Sequence, residues 1–163
     1  MTTIGAPPAR SRLTSILFDY LTTELNSTIL IGRGQAPKAG GWPQGQPGVG
    51  GFAPYVTLKA AQARPGPSPE SLGRPRQAWA IGYTLSCSGQ LEGSADDTAD
   101  QVRDALARLE GPFDLRGVTW TLLTVMFTSL GSVVPNNSTN PPFWDVSDAV
   151  SLWLFRDRGQ SSP

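Results

Sequence analysis

The side chains that most often carry catalysis are scarce in this sequence. It contains no histidine, which removes Ser-His-Asp and Cys-His machinery and nearly every catalytic zinc arrangement. Cys87 is the single cysteine, so no internal disulfide can form, and it falls on the apolar side of an alternating run, the setting of an inert core thiol. Asp96, Asp97, Asp100 and Asp104 crowd one short stretch; capping and solvated exposure at a helix start account for them better than a metal does. Lys38 lies in a Gly-rich segment but fails the phosphate-cradle pattern, which needs a glycine before the lysine and a hydroxyl after it, where this chain has Pro37 and Ala39. The sequence therefore predicts no enzyme and no catalytic, cofactor-binding or metal-ligating residue.

What remains is chemistry of contact. Residues 32–51 run through glycine and proline with Trp42 among them, and residues 131–148 include Phe143 and Trp144. A tryptophan in such a loop carries ~150–250 Å² of surface that is costly to leave wet. Two readings stand side by side: the rings fold back on their own domain, or the segments are arms whose Trp42, Phe143 and Trp144 are buried on a partner. Thirteen basic and thirteen acidic groups cancel overall, so no global field draws the chain to nucleic acid or membrane. The distribution is uneven, with residues 1–93 at +4 and the remainder at −4, counted from the sequence. Opposite charge on two faces of a subunit helps neighbours meet head to tail. Arg33, Lys38, Arg64, Arg74 and Arg76 are the basic groups assigned to interfaces or to a lumen wall, with sequence-blind contacts to phosphate.

The elements that must position these residues are legible from periodicity. Leu13, Ile16, Leu17, Tyr20, Leu21 and Leu25 form the stripe of an amphipathic helix over Ser11 to Leu25, entered through Pro7-Pro8 and left at Asn26. Thr28 to Ile31 reads as a short strand ended by Gly32. Phe52 to Ala60 reads as a second, with Pro54 marking an edge position or a late start. After an irregular connection, 61–76, Gln77 to Ser88 alternates, with Trp79, Ile81, Tyr83, Leu85 and Cys87 on one face. Ser94 is the expected N-cap of a second helix with the stripe Ala95, Ala99, Val102, Ala105, Leu106 and Leu109, an Asp104/Arg108 pair at i,i+4, and Gly111-Pro112 as its stop. Val118 to Leu130 is a β-rich run, apolar on both faces in its later half, which suits a central or an interface strand. Ala149 to Arg156 closes the set.

Length fits one domain over residues 1–163. The order predicts an α+β fold, a mainly antiparallel sheet with two helices packed on one face and long irregular loops at 32–51, 61–76 and 131–148. No apolar run approaches the ~20 residues of a membrane helix, and the N-terminus lacks a secretory pattern, so a soluble, intracellular protein with no membrane partner is expected.

The helix Leu13 to Leu25, the strand ending Ile29-Leu30-Ile31-Gly32, the long loop, two strands, the helix with Val102-Ala105-Leu106-Leu109, and the closing Val150-Ser151-Leu152-Trp153-Leu154-Phe155 together resemble the tail terminator proteins of siphophages. Arg-rich usage with only Lys38 and Lys59 is similar to phages of high-GC actinobacterial hosts. The resemblance implies a homohexameric ring at the head-proximal end of the tail. Such a ring binds the last tail tube subunits, stops their polymerisation and meets the head-tail connector, with double-stranded DNA passing through and no cofactor; it is assembled in the host cytoplasm and ends in the virion. Head completion or adaptor proteins of the neck also build rings from small α+β subunits. A ligand-binding or catalytic α+β domain is the reading from another class.

Overall fold

The computed structural model describes residues 6–26, 28–43, 46–66 and 76–157. Among them are two helices and seven strands, an α+β architecture. Helix α1 spans Arg10–Glu24 and buries the row Leu13, Leu17, Leu21, with Thr14 beside it. Its last turn gives way at Asn26, whose φ of 46° is the left-handed conformation that asparagine tolerates. The Tyr20 hydroxyl donates to the Ala105 carbonyl at 2.6 Å and fastens α1 to the second helix.

The strands are β1 Leu30–Arg33, β2 Tyr55–Pro65, β3 Arg76–Gly89, β4 Phe113–Asp114, β5 Thr119–Ser129, β6 Val134–Asn136 and β7 Phe143–Asp157. They form one sheet in the order β1, β2, β3, β7, β5, β4, with β6 also pairing to β7. The sheet is mixed rather than simply antiparallel, because β1 runs parallel to β2. A parallel neighbour requires the chain to return to its starting end, and the Gly/Pro-rich residues 34–54 make that crossover, with no α-helix among those described. Gly41 and Ala53 bridge its two limbs, exchanging hydrogen bonds of 2.8 and 2.9 Å. Pro54 marks the late start, since β2 lies between β1 and β3 and is not an edge.

Two expected loops are partly strand. Residues 61–65 continue β2 past an irregularity between Ala60 and Ala63, although alanine, glutamine and arginine carry little β preference; pairing with β3 decides the matter. At the other end β7 begins at Phe143, six residues before Ala149, and pairs with β3 from Gly89↔Trp144 to Arg76↔Asp157. Residues 134–136 of the same expected loop are β6.

Helix α2 spans Glu92–Ala107. Ser94 is therefore not its N-cap: it sits inside the first turn, and its hydroxyl accepts from the Leu91 N–H at 2.8 Å. Gly89 makes this start possible, because a Cβ there would lie 2.6 Å from the Ser94 carbonyl carbon. Residues of both helices, including Leu13, Leu17, Val102 and Leu106, share one buried cluster with Val56, Ile81, Leu85, Val150 and Leu152 of the sheet. No helix among the described residues is long and apolar enough to cross a membrane.

Candidate functional site

The aromatic residues come together within the chain. The Trp42 ring stands edge-on to Phe52 at 5.3 Å, and Phe52 lies 5.5 Å from Phe143 and 6.2 Å from Tyr55. The two segments singled out from sequence thus meet on Phe52, a residue that neither its type nor its spacing marks. Phe143 is buried, Trp42 and Trp144 are half-buried, and the Trp42 indole N–H lies buried with no acceptor among the described residues. Trp144 stands apart from this ring cluster, on β7 opposite Gly89.

The basic residues separate into groups. Arg33, at the end of β1, donates to the Ser15 hydroxyl at 3.0 Å and to the Ser11 carbonyl at 3.1 Å. Arg116, in the turn between β4 and β5, donates to the Ser11 hydroxyl at 3.3 Å. Arg10 reaches the Ala61 carbonyl at 2.8 Å, and Arg12 is exposed in the same first turn of α1. Arg10 and Arg33 line one shallow depression of about 430 Å³ together with Thr14 and Leu58. Among the described residues, none of these four arginines pairs with a carboxylate. Arg10, Arg12 and Arg116 were missed from sequence. A usable signal existed for two of them, since α1 has no acidic residue in its first turn, where acids are the favoured charge. Lys38 is exposed on the crossover and Arg64 is exposed near the end of β2; neither joins the cluster through a hydrogen bond. Arg74 and the Arg76 side chain lie outside the described residues.

The acidic residues form a contrasting surface. Asp96, Asp97, Asp100 and Asp104 are exposed on α2. Asp100 pairs with Arg103 at 2.9 Å, but that guanidinium is turned inward, with Nε 2.7 Å and a terminal nitrogen 3.0 Å from the Asp148 carboxylate. Arg108 reaches Glu24 of α1 at 3.2 Å instead of the expected Asp104. Among the described residues no group of three or more His, Cys, Asp or Glu is arranged to hold a metal ion.

A third surface is the far edge of the sheet. β4 pairs with β5 only at Phe113↔Trp120 and Asp114↔Thr119 and Gly111 packs against the Leu122 backbone, so among the described residues the outer edge of β5 is open beyond Leu122. Leu123, Met126 and Leu130 are 60, 47 and 60% exposed there. A groove of about 530 Å³ runs beside the edge, lined by Ala107, Leu109 and Glu110 and by Leu122 and Val125 of β5.

Cys87 is 1% exposed, and burial, reinforced by the Asp148 carboxylate, pushes its thiol up to about 12 from an ordinary value near 9. It is packing, not a nucleophile. The unfolded chain releases this proton near pH 9 while the folded chain holds it to about 12. The contribution to stability is therefore whole below pH 9 and declines as pH rises between the two values, by at most about 1.4 kcal/mol per unit. Urea midpoints measured at pH 8 and pH 10.5 should fall more for the wild type than for Cys87→Ala. Equal falls would show that the thiol titrates alike in both states. Tyr83, also raised by burial, adds the same sign in both proteins.

Compared with known proteins, the sequence matches no family model and no curated protein.

Proposed function

We propose that this chain is a structural subunit of a tailed-phage virion. It forms a ring at the head-proximal end of the tail, caps the tube, stops its polymerisation and joins it to the head connector with DNA passing through the lumen. The observation that carries the reading is the separation of charge on one small domain. Arg10, Arg33 and Arg116 meet the start of α1, where Arg12 is also exposed, and among the described residues none of them pairs with a carboxylate, while Asp96, Asp97, Asp100 and Asp104 are exposed along α2. Two complementary patches on one subunit favour a heterologous, head-to-tail contact, the kind that closes into rings. The resemblance in element order supports the tail end as the place of that ring, and Tyr20 bonded to Ala105 supports two helices covering one face of the sheet.

The arrangement fits contact better than turnover. The depressions beside the arginines and beside β5 are shallow, and Cys87 is shut in the core. Guanidinium groups not used between subunits would face phosphate without reading bases.

The test is particle mass by light scattering across ionic strength. A mass near six subunits is expected at low salt, falling as salt shortens the screening length from ~10 Å at 0.1 M to ~3 Å at 1 M. Arg33→Glu with Arg116→Glu should lower ring formation at least ~tenfold while the fold is kept. Added wild-type protein should stop tail tubes at normal length in assembly reactions. A monomer at every salt concentration, with tubes of unregulated length, would overturn the reading; capping of heads instead of tubes would move the ring to the neck.

A further inference from the structure

The open edge of β5 is unusual in what it lacks. From Val118 to Leu130 there is no charged residue and no proline, the two devices that most often keep an edge strand from pairing. Among the described residues its protection is Gly111 against the Leu122 backbone, Glu110 in the groove beside it, and register irregularities between Leu122 and Thr124 and between Phe127 and Ser129. Between them Val125 and Phe127 are half-buried against the core, and Met126 turns outward opposite Ser151 of β7. An added strand would hydrogen-bond to the edge and lay alternate side chains along the groove lined by Leu109, Leu122 and Val125.

We propose that the occupant of this edge in the free protein is β5 of a second copy, paired antiparallel across a twofold axis at Met126. Length and charge choose this occupant. The opposite edge strand, β1, has only four residues and ends in Arg33, whereas β5 offers an open stretch of equal length, equally neutral, to its own twin. In an antiparallel pair, directly opposed residues project to the same face. Centring on Met126 sets Val125 beside Phe127 of the other copy twice, extending the apolar layer through both sheets. Any register shifted by one residue would oppose inward to outward side chains.

This contact is isologous and closes on two copies, so it is separate from the head-to-tail contact of a ring and does not rest on that reading. The test uses Met126, which is exposed and can be changed without disturbing the core. In salt high enough to dissolve a head-to-tail ring, wild-type protein at micromolar concentration is expected to sediment as a pair, and Met126→Cys to cross-link to itself through a short bismaleimide. Met126→Lys and Met126→Glu, each placing like charges across the axis, should each weaken pairing about tenfold or more. Mixing the two variants should restore it. Circular dichroism is the control that both variants are folded. A wild-type monomer, an unchanged mass in Met126→Lys, or no rescue on mixing would each overturn the proposal. Pairs that never cap tails would leave it standing while removing the ring; rings without a Met126 cross-link would do the reverse.

Discussion

Replacing Asp148 by Ala is expected to destabilise the protein by about 3 kcal/mol, the lower part of the range for breaking a buried ion pair by removing one partner. Asp148 is 2% exposed and is satisfied on both oxygens: Arg103 Nε lies 2.7 Å from Oδ2, another Arg103 nitrogen 3.0 Å from Oδ1, and the Gly131 N–H 2.9 Å from Oδ1. One carboxylate thus ties α2, β7 and the connection after β5 to a single point. The hydrogen bond that Arg103 donates to Asp148 is the main cause that holds the Arg103 proton more tightly than usual. Removal strands a guanidinium whose side chain is only 20% exposed and an amide with no acceptor. Urea denaturation should show the loss in Asp148→Ala and a similar loss in Arg103→Ala, with the double variant well short of their sum. Asp100→Ala, at the exposed end of the same network, should cost under about 1 kcal/mol. Additive losses would mean that Arg103 and Asp148 do not act as a unit.

The same residue explains why part of the fold was hidden in the sequence. Both helices and β3 follow from apolar spacing, because each buries a continuous row: Leu13, Leu17, Leu21 in α1 and Tyr83, Leu85, Cys87 in β3. β7 broke that rule. Its inward row is Val146, Asp148, Val150, Leu152, and a carboxylate in an apolar row reads as a loop until Arg103, 45 residues away, is known to meet it. The parallel pairing of β1 with β2 has no local signature at all, since residue types do not encode the direction in which a glycine-rich crossover returns. The candidate surfaces divide in the same manner. The uncharged β5 run was visible as an interface or central strand, while the arginine cluster joins Arg33 to Arg116 through Ser11, a contact spanning 105 residues. Trp42 and Phe143 stand out as aromatic residues in irregular segments, whereas Phe52, which receives both, carries no such mark before Pro54.

Replacing Trp120 by Ala should produce the largest loss available to a single apolar substitution, about 3–5 kcal/mol. Trp120 is the largest of the fully buried side chains, 1% exposed, at the root of β5 where Phe113 of β4 is its cross-strand partner. Its ring also receives the Arg156 guanidinium at 5.1 Å from the centroid, an attraction that alanine removes along with the packing. For a domain of this size each kcal/mol shifts the melting temperature by roughly 2–4 °C, so a fall of about 10 °C or more is expected in Trp120→Ala. Trp120→Phe, which keeps a ring for Phe113 and Arg156, should lose much less. Trp42→Ala is the contrast: half-buried, on the crossover, with an unbonded indole N–H, it should cost less than half as much. The consequence for assembly follows from position. Trp120 anchors both the turn that carries Arg116 and the start of the open β5 edge, so folded Trp120→Ala protein should show weaker Met126 cross-linking and a weaker ring at low salt, whereas Trp42→Ala should leave both near wild type. If Trp42→Ala abolishes assembly at unchanged stability and Trp120→Ala leaves it intact, the contacts that build the particle run through the aromatic crossover and not through β5.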